Sequence, residues 1–181
     1  RVELVGRTEL LRLGDVRASV TPLVRRTPGE RGQVNELRHA LRAFFDHAAL
    51  SASGAPPTRH VAAQLYGDRD GAGPVQIGFR PLAAEDAAAW LKSLVRELLG
   101  RPHAYLLPVE AVLRLADRLD DVRGEQLVDS VVFVSERWNG GQSRYGPVRD
   151  ALAHAPPPPG EAEDFLERRF ALPLRSREGA R

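Results

Sequence analysis

Apolar positions along this chain follow two rhythms, one of period two and one of period 3.6, and the switches between them mark out its elements. Residues 2–13 and 16–24 are strand-like and are separated by Gly14-Asp15, which predicts a β-hairpin. Gly14 suits the first central position of a type II′ turn, where φ must be positive. Pro22 cannot donate to a ladder, so the second strand is expected at a sheet edge or cut short. Over residues 34–50 the rhythm changes, and Val34, Leu37, Leu41, Phe44, Phe45 and Ala48 form one apolar helical face. "RHVAAQLYG" and "PVQIGFR", joined by "DRDGAG", predict a second hairpin. A second helix is expected over 83–99, with Glu85 and Asp86 favouring its dipole and Ala87, Leu91, Leu94 and Leu98 as its buried stripe. Gly100 and Pro102 end it, and Pro108 opens a third helix reaching about Leu119. The stretch 125–138 is rich in β-branched residues, yet the spacing of Leu127, Val128, Val131 and Val132 favours a helix. "APPPPG" reads as a stiff extended linker, and "EAEDFLERRF" as a short helix after it.

The order ββ-α-ββ-α-α predicts an α/β (α+β) chain, a small mixed sheet flanked by helices. Its expected divisions are a domain over 1–154, a linker over 155–160, and a C-terminal helix and tail over 161–181. With 181 residues, 43 % hydrophobic and 28 % charged, the chain can bury one real core, and wholesale disorder is not expected. No cysteine is present, which excludes disulfides, thiolate metal sites and cysteine nucleophiles. No apolar run approaches eighteen residues and no signal-peptide pattern stands at the start, so a soluble, cytoplasmic protein without a membrane partner is expected. Arg1 enters directly upon a strand without an initiating Met, as in a fragment of a longer polypeptide. Lys92 is the only lysine among 26 basic residues. A GC-rich genome explains that bias, and so does phosphate recognition by the arginine fork. Ten arginines against six acids in the first sixty residues permit a polyanion partner without requiring one.

A hairpin of this outline can carry a Mg²⁺ site, which needs at least two clustered carboxylates and commonly a lysine. Glu9 is one candidate, and Asp15 at the turn tip a weaker one. The return strand offers Ser19, Val20, Thr21, Pro22 and Leu23 where an acid and a lysine are wanted. The five histidines, at 39, 47, 60, 103 and 154, show no metal-ligand spacing. His39 and His47 read as surface or satisfied core residues. No GxSxG elbow, phosphate-binding loop or dinucleotide fingerprint occurs. In "RYGPVRD", Tyr145 between Arg144 and Arg149 suits base stacking or phosphate binding, or else plugs a gap in the core. Trp90 and Trp138 read as core anchors.

The succession "VELVGRTELLR", "LRAFFDHAALSASG" and "PTRHVAAQLYG…VQIGFRPLAAEDAAAWLKSLVRELLGRPHAYLLP" resembles the C-terminal region of the exodeoxyribonuclease V gamma chain and related AddB-like helicase–nuclease subunits. Gly6-Arg7-Thr8-Glu9 stands where that family has a "GRID"-type strand, Phe79-Arg80-Pro81-Leu82 at its "F.PL", and Leu107-Pro108 at its proline-bearing exit. The likeness covers roughly residues 2–108 and extends loosely through "ERWNGGQSRYGPVRD". It implies a PD-(D/E)XK nuclease-like fold that in the gamma chain has lost its metal ligands and serves as a structural and DNA-guiding domain.

The expected function is therefore a catalytically inactive nuclease-like domain of a DNA repair and recombination helicase–nuclease. Its partners would be DNA and a helicase or nuclease subunit of a RecBCD- or AddAB-like complex, with no cofactor. Arg7, Arg12, Arg25, Arg26, Arg144, Tyr145 and Arg149 are the candidate DNA contacts. One alternative is an active Mg²⁺-dependent exonuclease built on Glu9 or Asp15. Another is a module that only docks proteins.

Overall fold

A computed structural model describes residues 10–67, 73–100, 108–138 and 158–179. The chain divides into two units, residues 1–88 and 89–181, with the boundary inside one helix. No helix among the described residues is long and apolar enough to cross a membrane.

The first unit is a four-stranded mixed sheet of order β1-β2-β3-β4 with one long helix. β1 (Leu10–Leu13) and β2 (Val16–Leu23) form the expected antiparallel hairpin. Leu13 pairs with Val16 across the two-residue turn, and Gly14 has φ +61. No non-glycine residue among those described has positive φ, so Asp15 rules out type I′ and leaves the type II′ geometry. α1 (Gly29–Ala52) then crosses over, and β3 (Arg59–Tyr66) returns parallel to β2, from Val16↔Arg59 to Leu23↔Tyr66. β4 (Val75–Phe79) closes the sheet antiparallel to β3.

β2 is thus an inner strand and runs on to Leu23, which corrects the edge placement expected from Pro22. Pro22 lies beyond the last described rung with β1, Leu10↔Ser19, so its missing N–H interrupts no described bond on that side.

α1 begins five residues before the expected start at residue 34, because the polar stretch 29–33 is compatible with a helix yet carries no apolar signal. Its inward stripe is Val34, Ala40, Ala43, Phe44, His47 and Ala48, all buried. Phe44 meets Phe79 of β4 at 5.2 Å between ring centroids. Phe45, expected on that face, is 49 % exposed. Neighbours on a helix point about 100° apart, and Phe44 holds the inward position.

α2 (Ala84–Gly100), which contains the boundary, carries a second correction in its C-terminal part, since Leu98 is exposed and Glu97 is buried in its place. Arg169 donates from Nε and Nη2 to Glu97 Oε1 at 3.1 and 2.6 Å, and Arg168 lies 3.6 Å from the same oxygen. The hydrogen bonds and charge of these arginines hold the Glu97 carboxyl below the usual carboxylate range, against the upward push of its burial. An ion pair therefore occupies the site that an apolar stripe assigns to leucine.

The helix expected from Pro108 to Leu119 is divided into α3 (Val109–Leu113) and a 3-10 turn, Ala116–Asp121, with Arg118 outside helical geometry (φ −128, ψ 30). Asp117, Asp120 and Asp121 crowd that turn, and aspartate favours caps and turns over helix interiors. Pro108 precedes the helix at its N-cap instead of occupying its first position. Residues 124–138 are helical as expected: α4 (Gly124–Phe133) runs into a wide π turn, Val134–Trp138. Trp90 is buried, while Trp138 is half-buried beside Phe133 at 6.1 Å. Of the linker expected over 155–160, residues 155–157 lie outside the described residues, Pro158 is extended, and Pro159 and Gly160 are helical. Pro158 caps α5 (Pro159–Phe165) and Pro159 opens it, where a proline's missing N–H costs no helical bond. The helix continues through a π turn, Leu166–Ala171, into α6 (Leu172–Arg175).

α4 meets α5 backbone to backbone. A Cβ on Gly124 would stand 2.1 Å from the Pro159 carbonyl oxygen, and the Gly124 N–H donates to Glu163 Oε1 at 2.6 Å. Gly124→Ala is expected to force the two chains apart and destabilise the protein by about 2–4 kcal/mol, read as a lowered urea midpoint. A midpoint within error of wild type would contradict this close approach.

Candidate functional site

The inward side chains of β2 and β3 alternate with those on the far face, and several of them are polar. Ser19 on β2, with His60 and Gln64 on β3, sit under α1, where an ordinary strand would carry Val or Ile. Gln64 is 1 % exposed, donating from Nε2 to the Glu36 carbonyl at 2.7 Å and accepting at Oε1 from the Tyr66 hydroxyl at 3.0 Å. Nearer the hairpin turn, the Ser19 hydroxyl donates to Asp46 Oδ2 of α1 at 2.8 Å. His60 Nε2 lies 3.0 Å from the same Ser19 Oγ. One helix turn of α1 also supplies His47, whose Nε2 lies 3.0 Å from the Arg80 carbonyl oxygen. The two imidazoles face each other with centroids 5.2 Å apart.

Partner chemistry assigns the protons. A carbonyl only accepts, so His47 carries its hydrogen on Nε2. The single Ser19 hydrogen goes to the carboxylate, so its oxygen accepts from His60 Nε2–H. Both Nδ1 atoms are then bare lone pairs, buried and without a hydrogen-bond partner in the structure. Arg17, the ladder partner of His60, stands beside them: its Nη2 donates to the Pro56 carbonyl at 3.2 Å, while Nη1 is buried with no partner.

Burial is the largest influence on His60, followed by the charges of His47 and Arg17, and together they lower its pKa from 6.5 to about 4. His47 is lowered by burial first and by Arg17 as well, against a smaller upward pull from the Arg80 carbonyl. Both rings are therefore neutral near pH 7.

This constellation is not a catalytic relay. In a Ser-His-Asp triad the imidazole stands between hydroxyl and carboxylate and takes the hydroxyl proton. Here serine stands in the middle, is 6 % exposed, and directs its hydroxyl hydrogen at Asp46. The arrangement binds α1 to the sheet. Among the described residues no three of His, Asp and Glu gather as metal ligands.

The residues nominated from the sequence are distributed as follows. Asp15 and Arg12 are exposed at the hairpin turn and line a cleft of about 310 Å³ with Gly14, Arg17 and residues 56–58. Arg12 Nε donates to the Gly14 carbonyl at 3.2 Å. Arg25 and Arg26 follow the far end of β2, more than about 20 Å away by strand rise. Arg26 Nε is engaged with Glu36 Oε1 at 2.8 Å. Arg7, Glu9, Arg144, Tyr145 and Arg149 lie outside the described residues. The structure therefore brings Arg12 and Asp15 together and separates them from Arg25 and Arg26. Asp46 and Arg17 were not singled out in the sequence. In the sequence, positions 17, 19, 21, 60 and 64 are a polar face of two alternating strands, which reads as solvent-facing until α1 is seen to cover it. Comparison with family models, curated proteins and solved structures finds no match to this chain.

Two outcomes follow from the site. A histidine held neutral in the fold binds fewer protons than the unfolded chain between pH 6.5 and about 4, so stability falls with acid across that window. His60 alone is expected to account for about 3 kcal/mol of this loss. Urea unfolding at pH 7.5 and 5 should read about 2 kcal/mol of it, and His60→Phe should flatten the dependence. A wild-type stability unchanged between those pH values would contradict it. Ser19→Ala leaves buried partners unpaired and should cost about 1–3 kcal/mol at pH 7.5 in the same assay.

Proposed function

We propose that this chain is a nuclease-like domain of the PD-(D/E)XK kind, without cutting activity of its own. In a helicase–nuclease of DNA repair and recombination it would contact DNA and dock on a motor or nuclease subunit in the cytoplasm. The order of sequence motifs that resembles the exodeoxyribonuclease V gamma chain supports the assignment, and so does a hairpin–helix–hairpin with a mixed sheet.

One observation carries the reading: what stands on the inward side of the return strand. Mg²⁺ takes oxygen ligands at about 2.1 Å in octahedral array, usually with carboxylates among them. The inward groups here are a hydroxyl, two imidazoles, and one carboxylate already accepting the Ser19 hydrogen bond, with a guanidinium beside the rings. That donor set does not fit Mg²⁺. It fits a scaffold whose polar centre has turned to holding helix and sheet together.

The test uses the full chain with end-labelled linear DNA in Mg²⁺ and in Mn²⁺. No cleavage is expected, together with retention of DNA at low salt that weakens steeply as salt rises. Cleavage abolished by Glu9→Ala would overturn the proposal in favour of an active nuclease. Failure to retain DNA at any salt would leave only the protein-docking role.

A further inference from the structure

The hairpin sets two like charges side by side. Arg12 and Arg17 are directly opposite in the β1–β2 ladder, so their side chains leave one face with Cβ atoms about 5 Å apart. Like charges in that position destabilise a hairpin. A carboxylate between them is the usual remedy, and Asp15 stands in the wall of the same cleft. The bonds the two arginines make go elsewhere. Arg12 donates from Nε to the Gly14 carbonyl and Arg17 from Nη2 to the Pro56 carbonyl, each at 3.2 Å.

Both guanidinia are therefore committed, but to neutral carbonyls, which hold them in position and leave their charge unmatched. Arg17 Nη1, buried, has no hydrogen-bond partner, so this guanidinium is short of acceptors. The wall that carries it is stiff. The Pro56 carbonyl also accepts from the Thr58 hydroxyl at 2.7 Å, and the rings of Pro56 and Pro57 fix their own φ. At about 310 Å³ the cleft is at the lower end of ligand sites and holds more than a phosphate group alone.

We infer that this cleft binds a phosphate monoester. Its oxygens take the outer N–H groups of Arg12 and the second N–H of Arg17 Nη2, and its organic body lies on Pro56 and Pro57. Arginine forks match phosphate oxygens in pairs. A monoester carries nearly two negative charges at neutral pH, where a diester carries one, so it answers two guanidinia better. The inference rests on the DNA-contacting role proposed above for the source of that group, the 5′-phosphorylated end of a strand. A free nucleotide carries the same chemistry and forms the other arm of the test.

The test uses the full chain and reads anisotropy of a 3′-labelled oligothymidylate bearing either a 5′-phosphate or a 5′-hydroxyl. In parallel, thymidine 5′-monophosphate and thymidine are titrated against backbone amide NMR resonances of Gly14, Asp15 and Thr58. Arg12→Gln and Asp15→Asn change exposed positions, away from the buried rings. Arg96→Gln, at an exposed position of α2, removes the same charge as Arg12→Gln outside the cleft. Wild type should bind the phosphorylated strand about tenfold or more tightly than the hydroxyl strand. Arg12→Gln should remove most of that preference and Arg96→Gln none of it. Asp15→Asn should raise it about threefold, because a carboxylate's repulsion is withdrawn. The nucleotide should shift the three amides, and thymidine should not. If the nucleotide does so in wild type but not in Arg12→Gln, while neither strand binds, the phosphate site stands and the DNA-contacting role falls. Equal binding of the two strands, with no shift from the nucleotide, overturns the cleft and leaves the DNA-contacting role. A preference lowered by Asp15→Asn overturns it too, since the carboxylate would then be a ligand itself. If neither strand nor nucleotide binds, both readings fall.

Discussion

The hydrogen bond that Ser19 donates to Asp46, with His60 on the other side of the same oxygen, is the constraint on which the first unit depends. Three elements meet at one hydroxyl: the return strand of the hairpin, the crossover helix and the parallel strand after it. Apolar packing such as Phe44 on Phe79 sets their distance but tolerates sliding. A directional bond to a buried oxygen does not, so it fixes the register of α1 over the sheet. The Gln64 bond to the Glu36 carbonyl repeats the device toward the other end of the helix.

That constraint carries an electrostatic condition. The imidazoles must stay neutral, because Arg17 stands beside them and their Nδ1 atoms have no acceptor to share a proton with. Burial, not pairing, keeps them so. The same condition separates the polar centre from a metal site, since a guanidinium near neutral rings is poor company for a divalent cation.

Much of the architecture was legible in the sequence. Gly14-Asp15 marked the first turn, the 3.6-residue rhythm marked α1 and α2, and the spacing around Val131 marked a helix against its β-branched content. What was missed has consistent physical causes. Rhythm alone treats every apolar residue alike, so it could not place Phe44 inward and Phe45 outward, nor foresee that arginines from the last helix would draw Glu97 into the place of Leu98. Proline rules are local as well. Pro22 reads as an edge signal until its far neighbour β3 is known, and Pro159 reads as linker until α5 is seen to start on it. The polar centre was the least legible, because Ser19 counted only as an absent acid, while Asp46 and His60 lie 27 and 41 residues away from it.

The central claim is that His47 and His60 are buried neutral rings, each carrying its hydrogen on Nε2, with His60 bonded to the Ser19 oxygen. Imidazole ¹⁵N chemical shifts followed by NMR from pH 7.5 downward test it most directly. The account predicts two histidines with Nε2–H tautomers, His60 remaining neutral to about pH 4 for as long as the protein stays folded. Protonation of His60 near the ordinary pH 6.5, or an Nδ1–H tautomer at His60, would contradict it.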